Sequence, residues 1–215
     1  DHSIPIDEAL WGIYARSPTE AIAVGGTSRY GGESAVAFFW DGDLWTPIPL
    51  PDSLSALGNL FKVSFDGQSY GAVGDEGVAL RGSAGALAQV PTQTASSLVT
   101  VHGVGDKMMV VGGRGTGVIL GRDENDLLTP VADSRAGLSG VHTLDSKLAI
   151  VVGERGYAAL FDQEAGILTE FPFETNHLLH GVFAQEGHGV LATGGDFYAT
   201  DAYHGTLLWS PLPQR

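Results

Sequence analysis

Cysteine is missing from the 215 residues of this chain, and basic residues are few. Without cysteine the chain can form no disulfide, no thiolate metal site and no cysteine nucleophile. Only 11 Lys and Arg residues stand against 25 Asp and Glu residues, which gives a formal net charge of −14. A surface of that sign repels phosphate groups, so nucleic acid and anionic membranes are poor partners. No run of 18 apolar residues occurs, and we therefore expect no membrane span.

Glycine, in contrast, is abundant, at 31 residues with no period of three. So many glycines in an ordered chain mark tight turns, and they indicate many short strands. No stretch of about a dozen residues keeps a helical pattern without a turn signal. The apolar fraction of 43% is that of a globular protein. The sequence therefore predicts an all-β protein.

A repeat of about forty residues organises the chain. Each copy opens with a Leu-x-x-hydrophobic segment and reaches a small residue followed by Gly about fifteen residues later. The opening residues are Leu10, Leu60, Leu98, Leu138 and Leu179, and the glycines are Gly25, Gly74, Gly112, Gly153 and Gly194. Short hairpin signals stand at equivalent places in all five copies. A period near forty with such turns is typical of β-propellers.

We therefore predict a single five-bladed β-propeller with four antiparallel strands, A to D, in each blade. The predicted blades cover approximately residues 9–50, 51–94, 95–134, 135–175 and 176–215. A Pro lies in or beside every predicted strand D, and Pro suits an outer edge because it cannot donate to a ladder. In blade five, residues 207–212 are predicted to form strand D. Gly74, Gly112 and Gly153 are expected to need a positive φ or to touch a neighbouring blade.

Blade one contains the segments Leu10-Trp11-Gly12-Ile13, Ala21-Ile22-Ala23-Val24-Gly25 and Trp40-Asp41-Gly42-Asp43-Leu44-Trp45. These segments resemble a propeller repeat of exported myxobacterial proteins, which is similar in turn to the repeats of photosystem II assembly-factor-like and Asp-box propellers. The resemblance implies an interaction scaffold. No complete Asp-box motif occurs, so it does not imply sialidase chemistry. A start at Asp1 is typical of a processed or trimmed chain, and we expect a secreted or periplasmic location.

The ligand site of such a propeller is expected in the central channel or on the face built from the B–C turns and D–A connections. Six residues of the B–C turns are predicted to bind ligand: Asp75, Glu76, Arg114, Glu154, Arg155 and Asp196. A Gly-rich insertion in blade one adds Arg29 and Tyr30 to the same face. The alternative interpretation is a set of solvated turn residues joined by salt bridges.

His102 and His142 occupy equivalent positions on strand A of adjacent blades, which places both near the axis. Two imidazoles and a carboxylate such as Asp75 or Glu154 could hold a divalent metal ion. Alternatively, the two side chains form hydrogen bonds to the backbone between blades. No local metal motif of the HExxH kind decides between these interpretations.

The familiar catalytic motifs are missing, including the nucleophile elbow, the P-loop and the dinucleotide fingerprint. The sequence therefore favours a binding or interaction module over an enzyme, with a small molecule, a glycan or a protein as ligand. One alternative is a carbohydrate-binding or glycoside-active propeller, in which Trp11, Phe61 and Tyr30 would stack on sugars. Another is a metal-binding propeller centred on the two histidines.

Overall fold

The computed structural model describes residues 6–27, 35–54, 58–122, 127–196 and 204–213. These residues form five antiparallel sheets and three short 3-10 turns, at Asp52–Leu54, Asp75–Gly77 and Glu154–Gly156. Within these ranges no helix has the length and apolar character that a bilayer crossing needs.

Each sheet is one blade, and its strands follow chain order. Blade one contains β1 (Ala9–Ser17), β2 (Glu20–Gly26), β3 (Ala35–Trp40) and β4 (Trp45–Pro47). Blade two contains β5 (Leu60–Phe65), β6 (Tyr70–Gly74), β7 (Ala79–Ser83) and β8 (Ala86–Gln89). Blade three contains β9 (Leu98–Val104), β10 (Lys107–Gly112), β11 (Gly117–Arg122) and β12 (Leu128–Ser134). Blade four contains β13 (Leu138–Thr143), β14 (Leu148–Gly153), β15 (Ala158–Asp162) and β16 (Ile167–Glu170), and blade five contains β17 (Leu178–Gln185), β18 (Gly189–Gly195) and β19 (Gly205–Ser210).

The first strands are innermost, because β1, β5, β9, β13 and β17 contact one another in that order. Every sheet is a meander in which each strand pairs antiparallel with the next. This arrangement confirms the predicted fold class, an all-β propeller of five blades. The B–C turns and the starts of the first strands share one end of the blades, since the last residue of each second strand pairs with the start of the first.

Blade five departs from the prediction. Residues 207–212 were expected to form strand D, but β19 pairs directly with β18 and is therefore the third strand of its sheet. The expectation placed the third strand within residues 197–203, which lie outside the described residues. The prediction assumed a short hairpin after β18, which would have left room for four strands in this blade. The sequence alone did not show that a longer connection joins β18 directly to β19.

The glycines that end the second strands serve a different purpose from the one expected. Gly74 has a φ of −162° and Gly153 a φ of −172°, so both are extended and need no left-handed backbone. An irregularity in the first strand instead brings a carbonyl of the same blade against the glycine. A Cβ on Gly112 would lie 2.1 Å from the carbonyl oxygen of Ser97. The close approach is therefore made within the blade and not by its neighbour.

Apolar side chains fill the spaces between blades. Ile22 and Val24 of blade one pack with Leu60 and Val63 of blade two in one cluster, and similar clusters lie between later blades. Because the inner blades are covered on both faces, their second strands are buried along nearly their whole length.

A buried carboxylate links blades two and three. Asp66, in the hairpin between β5 and β6, is fully buried. One carboxylate oxygen of Asp66 accepts a hydrogen bond from the guanidinium of Arg81, in the same blade, at 3.2 Å. It accepts a second from the guanidinium of Arg122, in blade three, at 3.3 Å. The other oxygen accepts the backbone N–H groups of Gln68 and Ser69, both at 2.8 Å. The carboxylate is therefore compensated by charge and by hydrogen bonds.

Candidate binding site

Two B–C turns of the propeller share one geometry. The turn at Asp75-Glu76-Gly77 and the turn at Glu154-Arg155-Gly156 both form one 3-10 turn, closed by backbone hydrogen bonds of 2.9 and 3.0 Å. The middle residue is left-handed in both, with φ of 52° at Glu76 and 55° at Arg155. Such a backbone is costly for a residue with a Cβ, and it directs both middle side chains into solvent.

The acidic residue that opens each turn braces the loops around it. The Asp75 carboxylate accepts the Ser97 hydroxyl of the next blade at 3.0 Å and the Asn59 side-chain amide at 3.4 Å. The Glu154 carboxylate accepts the backbone N–H of Gly115, in the preceding blade, at 3.1 Å and that of Gly137 at 3.3 Å. Both carboxylates thus have backbone or side-chain donors already, and each ties its turn to an adjacent blade.

Three basic residues at this end of the propeller differ from these acids, because they have no bonding partner among the described residues. Lys62, Arg114 and Arg155 are exposed, and among the described residues none has an ion pair or a side-chain hydrogen bond. Arg114 lies in the B–C turn of blade three, between Gly113 and Gly115, whose positive φ angles open the turn. Three cations therefore face solvent with their hydrogen-bond donors available to a ligand.

A cavity of about 1220 Å³, here called the central cleft, lies where the B–C turns and the D–A connections converge. It collects five of the predicted ligand-binding residues: Asp75, Arg114, Glu154, Arg155 and Asp196. Glu76 is exposed but does not line the cleft. Arg29 and Tyr30 lie outside the described residues.

The cleft also contains two aromatic residues that only the carbohydrate alternative had named, and one lysine that no prediction included. Trp11 and Phe61 line it from the first strands of blades one and two, and the Trp11 side chain is 51% exposed. Lys62 was missed entirely. The sequence did carry an indication of Lys62, because the equivalent position holds only Gly or Thr in the other blades. Those residues are Gly12, Thr100, Gly140 and Gly181.

The two histidines, on β9 and β13, are half-buried and do not line the cleft. Their ring centroids are 4.7 Å apart at a tilt of 35°, and Phe183 continues the stack 4.8 Å beyond His142. His102 Nδ1 accepts the backbone N–H of Thr143 in the next blade at 3.1 Å. This is the inter-blade backbone hydrogen bond of the second interpretation. The Ser64 hydroxyl accepts the N–H of Gly103 in the equivalent way.

The electrostatic surroundings of the histidines favour neutral rings. Burial lowers the pKa of His102 to about 4, and the neighbouring His142 and Lys62 act in the same direction. Burial also lowers the pKa of His142 and of His180. Across the described ranges, no three His, Asp or Glu side chains come close enough together to hold a metal ion. The expected carboxylate partners, Asp75 and Glu154, are engaged in the turns instead.

No protein family matches this chain, and no curated protein matches it. Several solved structures, however, are similar to it in fold. YCF48 from Cyanidioschyzon merolae is 15% identical, with a TM-score of 0.64 over 96% of this chain and 74% of that one. A structure of YCF48 bound to D1 peptide gives 15% identity and a TM-score of 0.64 over 95% of this chain and 70% of that one. Chaetomium thermophilum Sqt1 gives 12% identity and a TM-score of 0.67, over 95% and 59%.

A glucose dehydrogenase is similar to the same extent, with 12% identity and a TM-score of 0.63 over 97% of this chain and 83% of that one. At such identities these likenesses support the propeller fold alone. The similar structures are longer than the part this chain covers, and the particular repeat type predicted from blade one stays a prediction.

Proposed function

We propose that the chain is a non-enzymatic binding module that takes an acidic segment of another protein into the central cleft. The proposal rests on one observation, a difference in bonding between the acidic and the basic residues of the central cleft. The carboxylates of Asp75 and Glu154 have donors from the surrounding loops, whereas Arg114 and Arg155 project into solvent without a partner among the described residues.

The charge of the cleft supports an anionic ligand. The whole chain carries −14, but the six charged residues that line the cleft are three cations and three anions: Lys62, Arg114, Arg155, Asp75, Glu154 and Asp196. The cleft is therefore much less negative than the rest of the surface. Guanidinium groups bind carboxylates with two parallel hydrogen bonds, which gives both affinity and orientation.

The shape of the cleft supports a peptide. Its volume lies at or above the upper end of the usual range for small-molecule pockets, and it is open to solvent. Trp11 and Phe61 provide apolar area next to the cations, a combination typical of protein-binding surfaces. One of the similar propellers, YCF48, is known in a complex with a peptide. The location of the chain, secreted or periplasmic, remains part of the proposal and can be tested by cell fractionation.

The proposal is tested with fluorescently labelled 15-residue peptides of matched length that carry acidic, neutral or basic side chains. We expect the acidic peptides to bind, with an affinity that falls as salt is raised. The double variant Arg114→Gln with Arg155→Gln should bind at least about tenfold more weakly, which corresponds to about 1.4 kcal/mol. Lys147→Gln is the matched control, since Lys147 is exposed but pairs with Glu164 on blade four outside the cleft.

Equal binding of acidic and basic peptides, or unchanged binding by the double variant, would contradict the proposal. A carbohydrate ligand is the second candidate, because Trp11 offers a half-exposed indole within the cleft. A glycan array in which Trp11→Ala removes the signal and the double arginine variant keeps it would favour that candidate.

A further inference from the structure

The first strand of every blade contains one residue that has no partner on the second strand. In β5 the pairs on either side of it are Leu60 with Gly74 and Lys62 with Val73, and Phe61 between them is unpaired. The other four first strands skip one residue in the same way. An extra unpaired residue of this kind forms a β-bulge, which redirects the side chain that it carries. The five bulge residues are Trp11, Phe61, Val99, Ser139 and His180.

All five bulge residues line the central cleft. The preceding blade holds the backbone of two of these bulges in place. A Cβ on Gly12 would lie 2.8 Å from the carbonyl oxygen of Phe61, and one on Gly140 would lie 2.8 Å from that of His180. The bulge residues therefore present their side chains to the cleft from a packed backbone, which is what a precise binding site requires.

The side chains of the five bulge residues differ in polarity around the cleft. Blades one to three contribute Trp11, Phe61 and Val99, here called the apolar arc. Blades four and five contribute Ser139 and His180. Ser139 is buried, and its hydroxyl donates to the carbonyl oxygen of Leu179 in the next blade at 2.8 Å. Apolar bulge residues are therefore confined to three consecutive blades.

The fold itself does not require the apolar arc. Trp11 is 51% exposed, and Phe61 and Val99 are half-buried. In the part of the chain that the structure describes, the apolar clusters between the blades contain none of these three residues. Blades four and five form the same bulge with Ser139 and His180, so a large apolar side chain is not needed to build it. The apolar arc is accordingly available to a ligand.

Basic residues lie on the same blades as the apolar arc. Lys62 directly follows Phe61 in β5, and Arg114 lies in the B–C turn of blade three, the blade that contains Val99. Blades two and three thus each bring one apolar and one basic side chain to the central cleft. Aromatic and basic residues side by side are typical of the positions that dominate binding at protein interfaces. A ligand that uses both must carry acidic groups and an apolar side chain in one short segment.

We propose that the acidic segment bound in the central cleft carries a large apolar side chain, which packs against the apolar arc. This proposal rests on the proposed function, because it adds a requirement to the same ligand. The cations attract acidic segments in general, whereas the apolar arc selects among them. Trp11, Phe61 and Val99 are therefore the residues that determine specificity.

The test uses acidic 15-residue peptides of equal charge that differ only in a central Phe, Leu or Ser, with binding measured by fluorescence anisotropy. We expect the Phe and Leu peptides to bind at least about tenfold more tightly than the Ser peptide, because the complex buries their apolar side chains. Trp11→Ser and Phe61→Ser should each reduce the ratio of Phe-peptide to Ser-peptide affinity at least about threefold. Ile167→Ser is the control and should keep the ratio, since Ile167 is 58% exposed on the outer strand of blade four and does not line the cleft.

The outcomes separate this proposal from the proposed function. Acidic peptides that bind equally well with a central Phe, Leu or Ser would overturn the role of the apolar arc but not the proposed function. If no acidic peptide bound, both would be wrong. A preference for Phe that persists in both Trp11→Ser and Phe61→Ser would also overturn the role of the arc, as would an equal loss of preference in Ile167→Ser.

Discussion

Replacing Gly112 by Ala tests the structural role of the repeated glycine. The added Cβ would lie 2.1 Å from the Ser97 carbonyl oxygen and 2.8 Å from the Leu98 Cα, both backbone atoms that cannot rotate away. The same carbonyl accepts the N–H of Gly113 at 3.0 Å. Overpacking costs about 1–3 kcal/mol and a weakened hydrogen bond about 1 kcal/mol more. We expect the free energy of unfolding to fall by about 2–4 kcal/mol, or the melting temperature by about 5–15 °C.

Urea and thermal unfolding measure this change, and Gly205→Ala is the matched control. Gly205 also lies in a strand, but no atom is found within 4 Å of the position its Cβ would take. That substitution should change stability by less than about 0.5 kcal/mol. If Gly112→Ala were as stable as Gly205→Ala, the close approach between the second strand and the Ser97 carbonyl would not constrain the fold, and the reasoning would fail.

Two further predictions concern buried charge and pH. Asp66→Asn should lower the free energy of unfolding by about 3 kcal/mol, because it removes the buried negative charge that joins Arg81 to Arg122, whereas Asp145→Asn should cost under about 1 kcal/mol. Asp145 forms the equivalent hairpin turn, accepting two backbone N–H groups, but is exposed; equal losses in urea titrations would contradict this reasoning. His102 is held neutral in the folded state, so its contribution is present above pH 6.5 and lost as the pH falls towards 4. After allowance for solvent screening the loss is about 1–2 kcal/mol. His102→Asn keeps an acceptor for the Thr143 N–H but does not titrate, and unfolding measured at pH 7.5, 5.5 and 4.5 should show a flatter profile than in the wild type.

The propeller was predictable because the same features occur five times. Each repeated glycine at or next to the end of a second strand lies against a carbonyl of its own blade, as Gly25, Gly74 and Gly194 show, so the constraint recurs at every period. The reason for the glycine was not predictable. A periodic glycine indicates only that a side chain does not fit, and the atom that excludes it is fixed by the irregularity in the first strand.

The site was predictable in part, for a related reason. Turn positions locate the residues of one end of the propeller, and five of the predicted ligand-binding residues do line the central cleft. The sequence could not separate the residues that hold the loops from those whose side chains face solvent in the cleft. Asp75 and Glu154 accept hydrogen bonds from residues of neighbouring blades, and such partners become visible only once the blades are placed beside one another.

Departures from the repeat are therefore the better indication of function in this propeller. The acid that opens the turn in blades two and four is used in the same way in both, so it belongs to the scaffold. Lys62 stands where other blades have Gly or Thr, and Arg155 adopts a left-handed backbone that glycine would adopt at lower cost. A scaffold alone would not require either residue. Their presence in one cleft, together with Arg114, is what a site for an anionic ligand requires.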